Sequence, residues 1–248
     1  MSAPRPIGQR LALIHGNSLP PEAEAFEGPE VKVKAGGERP VLAIDAGSIV
    51  LIQRHGPERR VPAHLVDHGA NIRAACELGC DRVLALGSSG SLKLEWGVGT
   101  VVCPDDFYAP EVAPSYYDDP GGHSVPGFDR GWRRVVVGAW GSLTETPVID
   151  GGVYAQTRGP RFETPAEVRA LARHADLVGM TIAAEAILAR EATLAYAAIC
   201  TIDNLANGIA EQPLTLDEYR RGRDRTGTRL LEDLQQVLPA LAREQPST

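Results

Sequence analysis

Residues 176–204, DLVGMTIAAEAILAREATLAYAAICTIDN, decide the fold. Two short apolar runs, 177–181 and 195–203, have the length of buried strands. Between them, residues 183–193 are rich in Ala, Leu and Glu, which favour helix. The segment therefore predicts strand, helix, strand. Working outward toward the N-terminus, the alternation continues with a helix at 164–175, a strand at 147–157 and a helix at 131–143. Strands are expected at 98–104 and 81–90, and a helix at 64–79 that stops at Gly79. Further strands are expected at 48–56, 41–45 and 10–15, and a charged helix from about Leu216 closes the chain. This pattern predicts one α/β domain over residues 1–248, with a central, mostly parallel or mixed β-sheet flanked by helices. Internal repeats, low-complexity tracts and interdomain linkers are not apparent.

The composition narrows the function classes. Of 248 residues 43% are apolar, enough for one large core, while the net charge of −7 disfavours nucleic acid and acidic membrane surfaces as partners. No run approaches the roughly 18 apolar residues of a membrane span, so a soluble, cytoplasmic protein is expected. Cys76 and Cys80, read as i, i+4 on one helix, have no Cys/His pair nearby to complete a zinc site; with Cys103 and Cys200 they read as reduced core cysteines, and no metal is expected. The Pro/Gly/Asp-rich stretch 105–130 has the length of a functional or partner-contacting loop.

Polar or glycine-rich turns follow several strands: GNS (16–18), RHG (54–56), GSSG (87–90), RGPRFE (158–163), GMT (179–181) and DN (203–204). In open α/β sheets ligands bind beyond the carboxyl ends of the strands, so these turns are expected to converge. Arg54 offers a planar fork of donors for phosphate or carboxylate, and His55 beside it adds a further donor. The small residues around Ser88 let backbone N–H groups approach an anion, although no Walker loop or GxGxxG is present. Phe162 presents a π-face and Glu163 an acceptor, so adjacent residues grip the face and edge of one flat heterocycle. Met180 and Thr181 offer an adaptable apolar surface and a hydroxyl. Asn204 can donate and accept at once. Taken singly, each motif also reads as an ordinary turn, core residue or cap.

In order and spacing, GVYAQTRGPRFETPAEVRAL, DLVGMTIAAEAILARE and YAAICTIDN, together with RHG and PAHLVDHGANIRAACELGCDRVLALGSSGSL, resemble the homotrimeric purine nucleoside phosphorylase and methylthioadenosine phosphorylase family over roughly residues 48–220. The resemblance implies phosphorolysis of a purine nucleoside, with phosphate as co-substrate and no cofactor. It also implies roles. Arg54, His55, Ser88 and Thr181 would hold phosphate, Phe162 would stack on the purine, Met180 would lie under the ribose, and Glu163 would accept from the N1–H of a 6-oxopurine. Asn204 would meet N7 and O6, and Leu216 would suit a 5′-methylthio group. Asparagine at 204 goes with 6-oxopurines such as inosine, guanosine or methylthioinosine; a one-residue slip onto Asp203 would imply 6-aminopurines and a methylthioadenosine phosphorylase. The family's first glycine-rich turn is replaced by His15-Gly16-Asn17-Ser18, which leaves Asn17 and Ser18 as phosphate donors and sets His15 where a positive φ is expected. That departure keeps two alternatives open, a purine-binding protein with an impaired phosphate site and a nucleosidase using water. A homotrimer is implied, in which His123, Val125 or Phe128 of a neighbouring subunit closes the ribose pocket.

Overall fold

The computed structural model describes residues 8–19, 28–37, 40–56, 60–211 and 214–244. Its spine is β5 (Cys80–Ser91), buried along almost its whole length. The first half of β5 pairs in parallel with β1 (Arg10–His15), and its full run from Arg82 pairs in parallel with β11 (Ala195–Leu205). Its last two residues pair antiparallel with β10 (Leu177–Gly179). One sheet branch runs from β1 through β4 (Ile49–Gln53) and β3 (Val41–Ala46) to β2 (Glu30–Val33). Another runs from β10 through β9 (Val153–Gln156) to β7 (Asp106–Tyr108), and a third from β11 through β6 (Val101–Cys103) to β8 (Val148–Asp150). The sheet is mixed, as its parallel and antiparallel ladders alternate around the spine.

Strand periodicity splits the core into two layers. On β1 and β5, Ala12, Ile14, Val83 and Ala85 face one layer, covered by α1 (His68–Glu77) and α4 (Ile182–Glu191). The intervening Leu11, Leu13, Leu84 and Leu86 face the other, covered by α2 (Arg130–Leu143) and α5 (Leu216–Leu241). Successive strand residues point to opposite faces, so a sheet covered on both sides must be apolar at every position, which is why these strands read as continuous hydrophobic runs. Trp132 and Trp140 fill the α2 layer, and the Trp132 indole N–H donates to the Val83 carbonyl at 2.8 Å.

Several boundaries differ from expectation for local reasons. Residues 147–157 form two strands, because Gly151 and Gly152 take φ of 118° and 113°, and β8 and β9 leave that kink for different branches. Such φ values are open to glycine and costly for any residue with a Cβ. The helix expected from residue 64 starts at His68, where the Asp67 carboxylate accepts from the Ala70 N–H and so caps it. Gly79, at φ 81°, turns the chain into β5, so Cys80 begins a strand and does not share a helix with Cys76. All four cysteines are free and buried. Strand β2, EVKV, has charged side chains on an exposed edge and no apolar run to announce it. The stretch 105–130 carries the short strand β7 and a 3-10 turn. Among the described residues no helix is long and apolar enough to cross a membrane.

Candidate active site

The carboxyl ends of β4, β5, β9, β10 and β11 open on one cavity of about 110 Å³. Two groups of its lining residues are distinguished by their chemistry: Arg54, His55, Ser88, Thr181 and Asn17, the Arg54 end, and Phe162, Glu163, Met180 and Asn204, the Phe162 end, with Leu214 and Tyr219 from the start of α5. The expected convergence of strand ends is thus present.

At the first end Arg54 is held before any ligand arrives. Its Nε and Nη2 donate to the two Glu185 carboxylate oxygens at 2.5 and 3.0 Å, and its Nη1 donates to the Leu86 carbonyl at 2.8 Å. Glu185, fully buried on α4, also accepts from the Tyr196 hydroxyl at 2.8 Å and has His68 Nδ1 3.5 Å away. Burial pushes the Glu185 carboxyl up, but the Arg54 charge and the hydrogen bonds from His68 and Arg54 outweigh it and hold the group at about 2. Arg54 in turn is driven down by burial and lifted above its ordinary value by Glu185. A guanidinium has five N–H donors, and three are committed here, so two remain for a ligand.

His55 differs from the donor read in the sequence. Its Nδ1 lies 2.8 Å from the Val61 carbonyl, which only accepts, so Nδ1 carries the proton. Burial and the Arg54 charge push the imidazole down to about 4, so it is neutral near pH 7. Nε2 is therefore a lone pair and accepts a hydrogen bond. It is suited to a ligand O–H. Gly16 makes room for this arrangement, since a Cβ there would stand 2.9 Å from His55 Nε2 and 3.1 Å from Arg54 Nη1. His15 is the last residue of β1, and Thr193 is the one non-glycine with positive φ among the described residues, so the expected strain at His15 does not arise. Asn17 reaches the cavity. Ser18 does not: it is buried, outside the lining, and its hydroxyl has no partner among the described residues.

Thr181 occupies the N-cap position of α4 yet makes no side-chain cap bond. The Gln156 side-chain oxygen accepts from the Ala184 N–H at 2.9 Å instead, so the Thr181 hydroxyl is left to the cavity. The positive end of the α4 dipole sits at the same place, which favours an anion.

The second end is built by the loop after β9. Gly159, with φ 64° and a cis bond to Pro160, packs its Cα where a Cβ would stand 2.5 Å from Met180 Sδ. Phe162 and Glu163 follow, and α3 (Pro165–Leu171) starts at once behind a capping box: the Thr164 hydroxyl accepts from the Glu167 N–H at 3.3 Å, and Glu167 accepts from the Thr164 N–H at 2.8 Å. Glu163 is buried, and its Oε1 accepts from the Thr157 hydroxyl at 2.5 Å, which leaves Oε2 for a ligand edge. Phe162 is 38% exposed and meets the Tyr219 ring edge-on at 5.4 Å. Leu216, expected here, is 52% exposed and outside the cavity. The Thr215–Glu218 capping box starts α5 so that Leu214 before the cap and Tyr219 on the first turn reach the cavity, while Leu216 faces solvent.

A β-bulge separates Asp203 from Asn204. Ile202 pairs with Ser89 and Asn204 with Gly90, so Asp203 is the extra residue. Asn204 lines the cavity; one Nδ2 hydrogen goes to the Leu205 carbonyl at 2.9 Å, leaving one N–H and the amide oxygen. Asp203 turns away from that lining, beneath Ser88.

Of the three loop residues expected at a subunit contact, Phe128 is buried between Phe107 and Tyr196, whereas His123 is exposed and Val125 is 85% exposed. Glu185, Thr157, Leu214 and Tyr219 were not singled out as site residues by sequence. Glu185 had a sequence signal, an acid one helical turn after Thr181 in a helix apolar from Ile182 to Ala189 apart from it.

A family model described as the phosphorylase superfamily matches residues 6–239. The chain belongs to that superfamily. Among its relatives, a protein of Archaeoglobus fulgidus named probable 6-oxopurine nucleoside phosphorylase is 41% identical over 177 residues, 71% of this chain and 72% of that one. A probable S-methyl-5′-thioinosine phosphorylase of Methanothermobacter thermautotrophicus is 36% identical over 210 residues, 83% of this chain and 73% of that one. A solved structure of methylthioadenosine phosphorylase from Schistosoma mansoni in complex with adenine matches with a TM-score of 0.80 over 96% of this chain and 93% of that one, at 22% identity. This last likeness is one of fold, and the single α/β domain with a mixed sheet is that of the superfamily.

Proposed function

We propose that the protein is a pentosyltransferase that cleaves the N-glycosidic bond of a purine nucleoside with inorganic phosphate, releasing the base and a ribose 1-phosphate. One observation carries this reading: a ring and a buried carboxylate, Phe162 and Glu163, share a cavity with a pre-aimed arginine, Arg54. The relatives named as 6-oxopurine nucleoside and methylthioinosine phosphorylases support it.

Bond cleavage leaves an oxocarbenium-like ribose and moves an electron pair onto the purine. The free Asn204 N–H is suited to N7 or O6, where negative charge builds, and Glu163 Oε2 to the N1–H of a 6-oxopurine. The two free Arg54 N–H groups and the Thr181 hydroxyl suit phosphate, with Asn17 nearby. The neutral His55 Nε2 suits the phosphate O–H or a ribose hydroxyl, which orients the nucleophile under the anomeric carbon. Met180 offers the apolar floor beneath the sugar. Because Asn204 and not Asp203 lines the cavity, a 6-oxopurine is the preferred base. Leu214 and the Tyr219 ring favour an apolar 5′ group, which makes methylthioinosine a better substrate than inosine. The exposed His123 and Val125 support a homotrimer in which that loop covers the neighbouring ribose pocket.

The deciding experiment measures base release from inosine, methylthioinosine, guanosine and adenosine with and without phosphate. Phosphate-dependent release, fastest from a 6-oxopurine, is expected. Equal rates without phosphate would instead identify a nucleosidase, and binding without release a purine-binding protein. Asn204→Asp is expected to move the inosine-to-adenosine ratio of kcat/KM toward adenosine by about tenfold or more; an unchanged ratio removes Asn204 from base choice.

A further inference from the structure

The Asp203 carboxyl has no part in the chemistry above, yet it gathers three hydroxyls from three elements. Ser88 of β5 donates to its Oδ2, and Thr226 of α5 and Thr201 of β11 donate to its Oδ1, the latter at 3.0 Å. Arg223 acts on it only through space, and burial drives the group up to about 6 although the three hydroxyls pull the other way. Thr201 and Thr226 each have a second acceptor, the Gly87 carbonyl at 3.4 Å and the Arg223 carbonyl at 3.1 Å. Ser88 alone of the three faces the cavity of the candidate site.

A hydroxyl has one proton. An ionised carboxylate can only accept, so while Asp203 is charged the Ser88 proton points at it, and the Ser88 oxygen turns its lone pairs to the cavity, where the Tyr219 phenol can donate to one of them. An anion there is repelled by those lone pairs. We infer that Asp203 is a positioning residue that sets the direction of the Ser88 O–H, so that an oxyanion bound at the Ser88 side of the cavity draws one proton from solvent onto Asp203. The proton resides on Oδ2 and is donated to Ser88 Oγ; the Ser88 proton then turns to the anion. No covalent bond to carbon or phosphorus changes. This inference rests on the phosphate reading above. Asp203 also lines a second cavity, with Glu218, Arg221 and Arg225. The other titratable groups that act with Asp203 are Tyr219 and Cys200; burial raises both, the latter to about 12, so neither changes charge near neutrality. Across the anion seat His55, at about 4, stays neutral from mildly acidic to alkaline pH.

The test is calorimetric titration of the intact protein with sulfate, which stays a dianion throughout, in buffers of different ionisation enthalpy. Wild type is expected to take up about half a proton on binding near pH 6.5 and none near pH 5 or pH 8, with affinity weakening about tenfold from pH 5.5 to pH 8, the worth of one hydrogen bond to a charged group. Asp203→Asn supplies a permanent amide donor to Ser88; its affinity is expected to be flat with pH and its proton uptake nil. Ser88→Ala keeps the carboxyl, and is expected to bind about tenfold more weakly at low pH, also without uptake. Equal uptake in wild type and Asp203→Asn, or none in wild type, overturns the inference. Sulfate that fails to bind at any pH removes the anion seat and this inference with it. Proton-linked sulfate binding without phosphate-dependent base release would remove only the proposed reaction.

Discussion

The two ends of the cavity are built by different means. At the Arg54 end, three polar groups are set by a partner: Glu185 holds Arg54, the Val61 carbonyl holds His55, and Gln156 relieves Thr181. At the Phe162 end, contact comes from an exposed ring, a thioether and the first turn of α5, with Glu163 and Asn204 as the held polar groups. An end that is organised before binding loses little entropy when its ligand arrives, and it tolerates only one ligand shape. Adaptable apolar surface pays in selectivity but accommodates variation in the ligand. The difference suits a constant anion at one end and a variable nucleoside at the other.

The comparison is broken most directly at Glu185. Glu185→Gln leaves the buried Arg54 charge without its counterion and is expected to cost about 3–5 kcal/mol of stability, measured by denaturant unfolding. In the folded fraction kcat/KM for phosphate is expected to fall about 100-fold or more, with a much smaller change in nucleoside KM. A variant with wild-type phosphate kinetics would show that the anion end is not organised by this pair.

That pair also marks how far the sequence could be read. Arg54, His55, Ser88, Thr181, Phe162, Glu163, Met180 and Asn204 each sit at the end of a strand or the start of a helix, where apolar runs stop and a polar residue stands out. Their meeting in one cavity follows from strand ends sharing one edge of the sheet. The role of Glu185 was not legible because an acid on a helix does not name its partner, 131 positions away. The tautomer of His55 depends on a carbonyl beyond a turn, and Leu216 was misplaced because the α5 cap shifts which residues face inward. The strand expected over 147–157 is two, since positive φ at Gly151 and Gly152 breaks it and its halves join different branches of the sheet, which local sequence does not encode.

Glu163→Gln sharpens the comparison from the other side. It keeps the shape of the side chain but puts an amide where a carboxylate oxygen meets the base edge. A loss of about 1.5–3 kcal/mol in kcat/KM for inosine is expected, with phosphate KM little changed. Should adenosine suffer as much as inosine, the carboxylate is not reading the N1–H.

Beneath Ser88, outside the cavity lining, lies Asp203, and its effect on stability has a definite sign. A carboxyl raised on folding from 3.8 to about 6 binds its proton more tightly in the native state, so its contribution is fully present below 3.8 and is lost as pH rises through about 6. Ionised Asp203 is thus a net cost at neutral pH. Asp203→Asn is expected to stabilise the protein by about 1–2 kcal/mol at pH 8 and by nothing at pH 4. Thermal melts at both values check this, and a destabilised variant at pH 8 would mean that the hydroxyl cluster prefers a charged acceptor.

The smallest expected effect tests whether the two ends are separate at all. Tyr219 touches both, with its ring against Phe162 and its phenol against the Ser88 hydroxyl. Tyr219→Leu keeps apolar cover over the sugar and removes the edge-on ring contact and the phenol, a change of about 0.5–1.5 kcal/mol. If the α5 side serves only the nucleoside, KM for inosine rises a few fold, methylthioinosine is less affected because its thioether packs on leucine, and phosphate KM stays put. A rise in phosphate KM as large as that for inosine would join the phenol to the anion end through Ser88, and α5 would then carry information between the two substrates instead of merely covering one of them.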